Sequence, residues 1–193
     1  MKRIEIIKAD ITQLNVDAIV NTATTKLLGS GGVDGAIHDA AGPELMEECR
    51  RLKGCLVGTA KITSGYNLPA RYVIHTVGPQ WDEGQGNEQA LLASCYRACF
   101  SLAREYGLKT LAFPAISCGS YQFPVPTACE IAMDVVEQCL RGNDQIERVI
   151  FVCYRDAVER TLKQLLAEKM MPLVDNLAPQ PGFTNYPGCE ITV

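Results

Sequence analysis

A short apolar run, residues 16–20 (VDAIV), empties directly into NTATTKLLGSGGVDGAIH, Asn21 to His38. This junction constrains the fold more than any other part of the chain. The run is of the kind buried on both faces of a parallel sheet, and a helical pattern begins at Val33. Between the two lie Gly29, Gly31 and Gly32, with Gly35 just beyond. A strand that passes through a glycine turn into a helix lets the backbone come close to an anion, with the free N–H groups of the first helical turn aimed at it. The same glycines also suit a structural turn with close helix packing. Lys26 is the one basic residue in the segment, so an anion held here would rest on backbone dipoles. The spacing is neither the G-x-G-x-x-G dinucleotide fingerprint nor a P-loop.

The rest of the chain alternates strand and helix patterns. Residues 3–8, 59–63, 72–77, 111–116 and 148–154 read as strands, and residues 33–41, 43–53, 87–106, 125–140 and 156–170 as helices. Gly42–Pro43 separates the first two helices, and Asp156 and Glu159 form a capping pattern for the last. Such alternation implies an α/β sandwich with its sheet covered on both sides and a crevice past the carboxyl ends of the strands. Four segments leave strand ends with polar or glycine-rich chemistry: Asp10–Ile11, Asn21 to Gly35, Ser117 to Phe123, and Tyr154 to Asp156. If the second and third share one cleft, two helix starts converge, an arrangement suited to a diphosphate. Beyond Pro172 the periodicity is lost. The expected organisation is one domain, residues 1–171, with an irregular C-terminal tail, residues 172–193, that Phe183 and Tyr186 would pin to the body if it is ordered.

Composition excludes several classes. The net charge is −4 and no Lys/Arg cluster stands out, which disfavours duplex nucleic acid as a partner. No run approaches the roughly 18 apolar residues of a membrane helix, and the N-terminus lacks a long apolar segment of the secretory kind. Nine cysteines without a CxxC pair read as reduced thiols, so the expected location is cytoplasmic, or nuclear in a eukaryote. With two histidines and no paired-ligand spacing, no metal and no cofactor is expected.

Taken singly, the polar residues leave alternatives open. Asp34 is a helix-terminal carboxylate or a catalyst, and His38 is a packing residue or a hydrogen-bonding one. His75, inside YVIHTV, reads as a buried histidine. Tyr121 and Phe123 are either core or a stacking surface for a sugar or base. Cys118 lies in a glycine-containing turn with no histidine near it in sequence, which argues against a nucleophile. Trp81 receives no role.

Three long segments, VDAIVNTATTKLLGSGGVDGAIHDAAGPEL, GTAKITSGYNLPARYVIHTVGP and FPAISCGSYQFP, together resemble macrodomains, in particular the MacroD-type ADP-ribosyl hydrolases and O-acetyl-ADP-ribose deacetylases. The resemblance spans residues 3–170. It implies a three-layer α/β/α sandwich with a mixed six-stranded central sheet and a cleft for ADP-ribose or an ADP-ribosylated protein. By this resemblance Asp10 accepts from the adenine amino group, with the backbone of Ile11 beside it. Asn21, Gly31, Gly32 and Val33 correspond to the loop around the distal ribose and one phosphate. Asp34 corresponds to the acid at the scissile end. Ser117, Gly119, Ser120 and Tyr121 correspond to the second phosphate loop, with Tyr121 against the distal ribose, and Tyr154 to the aromatic near adenine.

The chain departs from the family at identifiable places. Where members read N-A-A-N, it has Asn21–Thr22–Ala23–Thr24, so Thr24 stands where a second Asn holds the distal ribose. Ser30 and Gln122 each replace a loop glycine. The implied activity is removal of ADP-ribose from acidic side chains or deacetylation of O-acetyl-ADP-ribose, with Asp34, Asn21 and Thr24 at the reacting end. The alternative is a reader that binds ADP-ribose without cleaving it.

Overall fold

In a computed structural model, residues 2–170 are described. The strands are β1 (Ile4–Lys8), β2 (Ala18–Thr22), β3 (Ala60–Ser64), β4 (Tyr72–Thr76), β5 (Thr110–Phe113) and β6 (Arg148–Cys153). The helices are α1 (Gly32–Ala41), α2 (Pro43–Arg51), α3 (Glu88–Glu105), α4 (Val125–Leu140) and α5 (Asp156–Met170), with a 3₁₀ turn at Ile11–Gln13. The sheet runs β1-β6-β5-β2-β4-β3, and every pairing is parallel except β3 with β4. This is the mixed six-stranded sheet between helical layers that the resemblance implies.

The period-two alternation of the central strands divides the core. Ala18, Val20, Ile74, Leu111 and Phe113 face a cluster shared with α3, α4 and α5. Ile19, Val73, Ala112 and Ile150 face one shared with α1 and α2, through Ile37, Ala41, Leu45 and Cys49. Between the two helices, Gly42 has φ +90°, a conformation open to glycine, and Pro43 then begins α2.

Two strands, β2 and β5, differ from the sequence reading by more than one residue. β2 starts at Ala18 and continues through Asn21 and Thr22, because both pair in register with His75 and Thr76 of β4. Asp17, just before it, is a polar anchor: its carboxylate accepts from the backbone N–H groups of Lys109 and Thr110. β5 stops at Phe113, since Pro114 has no N–H to continue the ladder. The expected tail, with Phe183 and Tyr186, lies outside the described residues.

Candidate functional site

β2 and β5 are parallel neighbours, yet the helices that follow them pack on opposite faces, α1 in one core cluster and α4 in the other. Chains that leave adjacent strand ends in opposite directions open a crevice between them. A cleft of about 610 Å³, part of it open to solvent, lies there. It is lined by Thr22, Ala23, Thr24, Ser30, Gly31, Gly32 and Val33 on one wall and by Gly78, Ala115, Ser117, Gly119, Ser120 and Tyr121 on the other. None of these residues is charged.

The first wall is the glycine loop. It is pinned by Leu27, which is fully buried, and by hydrogen bonds from Leu27 N to Thr24 O and from Cys55 N to Thr25 O. Gly31 is the N-cap of α1 and offers no side chain to its first N–H groups, so those donors face the cleft end of the helix uncapped. A Cβ on Gly31 would meet nothing within 4 Å. The fold itself therefore leaves that space open beside the cleft. Gly32 differs, because its φ of +65° restricts the position whatever the space.

The second wall is a turn rather than a helix start. Its lining ends at Tyr121, before the α4 N-cap Pro124, so the expected second helix terminus does not enter the cleft. Ser117 sits at φ +63°, and its buried hydroxyl has no partner among the described residues. That hydroxyl rests against Gly78, where a Cβ would come within 2.1 Å of it. Trp81 N donates to Tyr121 O at 2.9 Å, and the Trp81 ring lies 4.8 Å from that of Phe123. Phe123 is thereby core and Trp81 a brace for the turn, a role its sequence context did not signal. Arg155 Nη1 donates to Cys118 O at 3.2 Å and ties the turn to the end of β6. Burial pushes the Cys118 thiol up to about 11, which fits its reading as a structural thiol.

Behind the first wall lies a buried polar chain. Asn21 and Asp34 are 0% and 1% exposed. Asn21 Nδ2 donates to Asp34 Oδ1 at 2.7 Å, and Ser30 Oγ donates to Asp34 Oδ2 at 2.9 Å. A carboxylate only accepts, so the Asn21 nitrogen must face it, and the second N–H then reaches His75 Nδ1 at 3.1 Å. His75 Nδ1 is consequently an acceptor, and its proton sits on Nε2, 2.9 Å from Thr63 Oγ1 and 3.7 Å from Cys49 Sγ. Burial, and then the nearby His38 ring, hold the His75 pKa down to about 3, so the ring is neutral.

His38 is nearly buried, with its Nε2 3.5 Å from Asp34 Oδ1 and no hydrogen-bond partner among the described residues. His38, Cys49 and His75 bring one possible ligand atom each within 4.8 Å of one another. Both His75 nitrogens are already engaged, and burial followed by the Asp34 charge raises the Cys49 thiol to about 11.

The structure brings Thr24, Gly31, Gly32, Val33, Ser117, Gly119, Ser120 and Tyr121 together on the cleft. Asn21 and Asp34 lie behind its wall, connected to it through Ser30. Asp10 and Ile11 lie outside the lining: Asp10 Oδ1 accepts from Thr12 N and Thr12 Oγ1, and Ile11 is buried. Tyr154, also outside it, is 90% exposed. Because β5, β6 and β1 are consecutive, Tyr154 and Asp10 leave the same carboxyl edge as the cleft. Reading the sequence alone missed Thr22, Ala23, Gly78 and Ala115 as lining residues and Ser30 as the contact to Asp34. Ser30 and Asp34 are four residues apart across a helix start, and that spacing was a usable signal.

The family model "Macro domain" matches residues 20–132. A Macro domain-containing protein of Methanosarcina mazei is 55% identical over 166 residues, covering 86% of this chain and 89% of the relative. O-acetyl-ADP-ribose deacetylase 1 of Pantoea vagans is 50% identical over 158 residues, covering 80% of this chain and 92% of the relative. Among solved structures, a mutant Oceanobacillus iheyensis macrodomain with ADPR superposes with a TM-score of 0.82 at 38% identity, covering 86% of this chain and 92% of that one. With the sheet order, the two-walled cleft and these similarities in agreement, the chain belongs to the macro domain family.

Proposed function

We infer that this protein binds ADP-ribose in the cleft and hydrolyses an acyl ester of its terminal ribose, as O-acetyl-ADP-ribose or as a mono-ADP-ribosylated acidic side chain. The observation that carries the reading is the convergence of the α1 start, Gly31 to Val33, and the Ser117–Tyr121 turn on one cleft without charged side chains. Backbone N–H groups supply donors to a diphosphate from both walls. Tyr121, half-buried at the rim, offers its ring to the terminal ribose. The adenosine end then runs along the carboxyl edge toward Tyr154 and Asp10. The deacetylase name of the Pantoea relative and the bound ADPR of the Oceanobacillus neighbour support the same reading, which we apply to residues 1–171.

Asp34 supplies the base for water attack. A second reading, a reader without turnover, is favoured by Thr24, which lines the cleft where the family pattern has a longer amide. Titration with ADP-ribose followed by a turnover assay on the same sample separates them. Binding with ester hydrolysis that Asp34→Ala abolishes supports the enzyme. Binding without release over hours supports the reader. No helix among the described residues is long and apolar enough to cross a membrane. We place the protein in a reducing compartment, the cytoplasm or nucleus, because eight described cysteines are unpaired.

A further inference from the structure

Asp34 presents a difficulty for any direct mechanism. Its carboxylate is 1% exposed, it does not line the cleft, and Oδ1 is taken by Asn21. Oδ2 is met by Ser30 Oγ at 2.9 Å. Ser30, unlike Asp34, is exposed and lines the cleft. Its backbone is seated by Gly35, where a Cβ would lie 2.5 Å from Ser30 O. The hydroxyl thus stands between the buried acid and the open space, held on the acid's side by Asp34 Oδ2.

We propose that Ser30 carries the base function of Asp34 into the cleft, its hydroxyl passing the proton of the attacking water to the carboxylate. This deepens the hydrolase reading and rests on it. A serine hydroxyl donates once and accepts twice, so Ser30 Oγ donates to Asp34 Oδ2 while it accepts from a water in the cleft. As the water oxygen bonds to the acyl carbon, its proton moves to Ser30 Oγ and the Ser30 proton moves to Asp34 Oδ2. The carbonyl π electrons pass to the carbonyl oxygen. On collapse the acyl C–O bond breaks, and the ribose oxygen leaves with the electron pair and takes a proton back along the same path. The products are a ribose hydroxyl and a carboxylic acid, which then ionises to solvent.

The arrangement has an unusual signature at position 30. Ser30→Ala removes the hydroxyl that meets Oδ2 and keeps only the Cβ that carried it, so the acid loses that donor. Ser30→Gly opens room for a water that takes over the relay. The test is steady-state hydrolysis of O-acetyl-ADP-ribose by wild type, Ser30→Ala, Ser30→Gly, Asp34→Asn and Ser30→Ala/Asp34→Asn, with ADP-ribose affinity measured by calorimetry. A positioned base typically contributes about 10²–10⁴-fold. Ser30→Ala is expected to lower kcat by roughly tenfold to a hundredfold, with KM and ADP-ribose affinity within about threefold. Ser30→Gly should recover most of that loss, and the double variant should be no slower than Asp34→Asn alone. In mixed H₂O and D₂O, the wild-type rate should fall along a curve that needs two protons in flight.

Wild-type kcat in Ser30→Ala, with Asp34→Asn inactive, overturns the relay and leaves the hydrolase reading standing. Additive losses in the double variant do the same. Asp34→Asn at the wild-type rate overturns the relay and the base role of Asp34 while hydrolysis stands, and a wild type that binds ADP-ribose without turnover overturns the hydrolase reading and the relay together.

Discussion

Asn21 Nδ2 stands 2.7 Å from Asp34 Oδ1, and its other N–H points at His75 Nδ1 3.1 Å away. One amide therefore orients an acid on α1 against a histidine on β4, with all three side chains out of solvent. Asn21→Leu removes both bonds and leaves a buried carboxylate with one fewer donor. The expected cost is about 3 kcal/mol, the usual range for a hydrogen bond to a buried charge that loses its partner. Urea unfolding at pH 7 checks it, and a loss under about 1 kcal/mol would show that Asp34 is better solvated than its burial indicates.

His75 links stability to pH. Its folded pKa is held near 3 by burial and the His38 ring, below the ordinary value. As pH falls under that ordinary value, the unfolded chain takes up a proton that the folded chain refuses until pH approaches 3. Stability is full above pH 6.5 and declines below it, with a limiting slope of about 1.4 kcal/mol per pH unit from this group. The groups around the ring are His38, Cys49, Thr63 and Asn21, the last of which also bonds Asp34. His75→Asn, which keeps an acceptor toward Asn21, should flatten the decline between pH 6.5 and 4.5. Nitrogen NMR of the wild type should find a protonated Nε2 and a bare Nδ1 throughout that window.

The contact between Gly78 and Ser117 makes a paired prediction. A Cβ at position 78 would lie 2.1 Å from Ser117 Oγ and 2.8 Å from Ile116 Cγ2, so Gly78→Ala must displace the second wall. ADP-ribose affinity should fall roughly tenfold, or about 1.4 kcal/mol. Adding Ser117→Gly removes the hydroxymethyl group and suits the positive φ at that position, so part of the affinity should return. Calorimetry on the three proteins reads the outcome, and no recovery in the double variant would point to Ile116 as the controlling clash.

Thr24 is the departure most open to repair. It lines the cleft and its hydroxyl is shorter than an amide. Thr24→Asn should raise ester hydrolysis by roughly tenfold, the worth of one well-placed hydrogen bond. Equal kcat/KM for the two proteins would mean that this wall does not position the reacting sugar.

Much of the fold was legible in the sequence because its signals are local. Apolar runs and the Gly42–Pro43 break mark the elements to within a few residues, and the three long motifs carry the family and the sheet, whereas Asp156, read as a cap, is the first residue of α5 and pairs with Lys8. The second wall was harder to read. A Gly-containing turn before the α4 pattern reads as a helix start, but the first residues of α4 lie beyond the lining. Asp34 illustrates the deeper limit. Its place after the glycines was plain, whereas its partner Asn21 is brought to it by β2 and is itself held by His75, which only the register with β4 supplies. The brace from Trp81 to Tyr121 joins residues far apart in the chain and leaves no pattern in either segment.

The absence of charged residues from the cleft lining has a consequence for how the protein behaves in a crowded cell. A grip made of peptide dipoles and hydroxyls releases few condensed counterions, so its affinity should change little with ionic strength. An overall charge of −4 gives the molecule no net electrostatic attraction for polyanions. Under the proposed reading, selection in this cleft rests on fit rather than on charge.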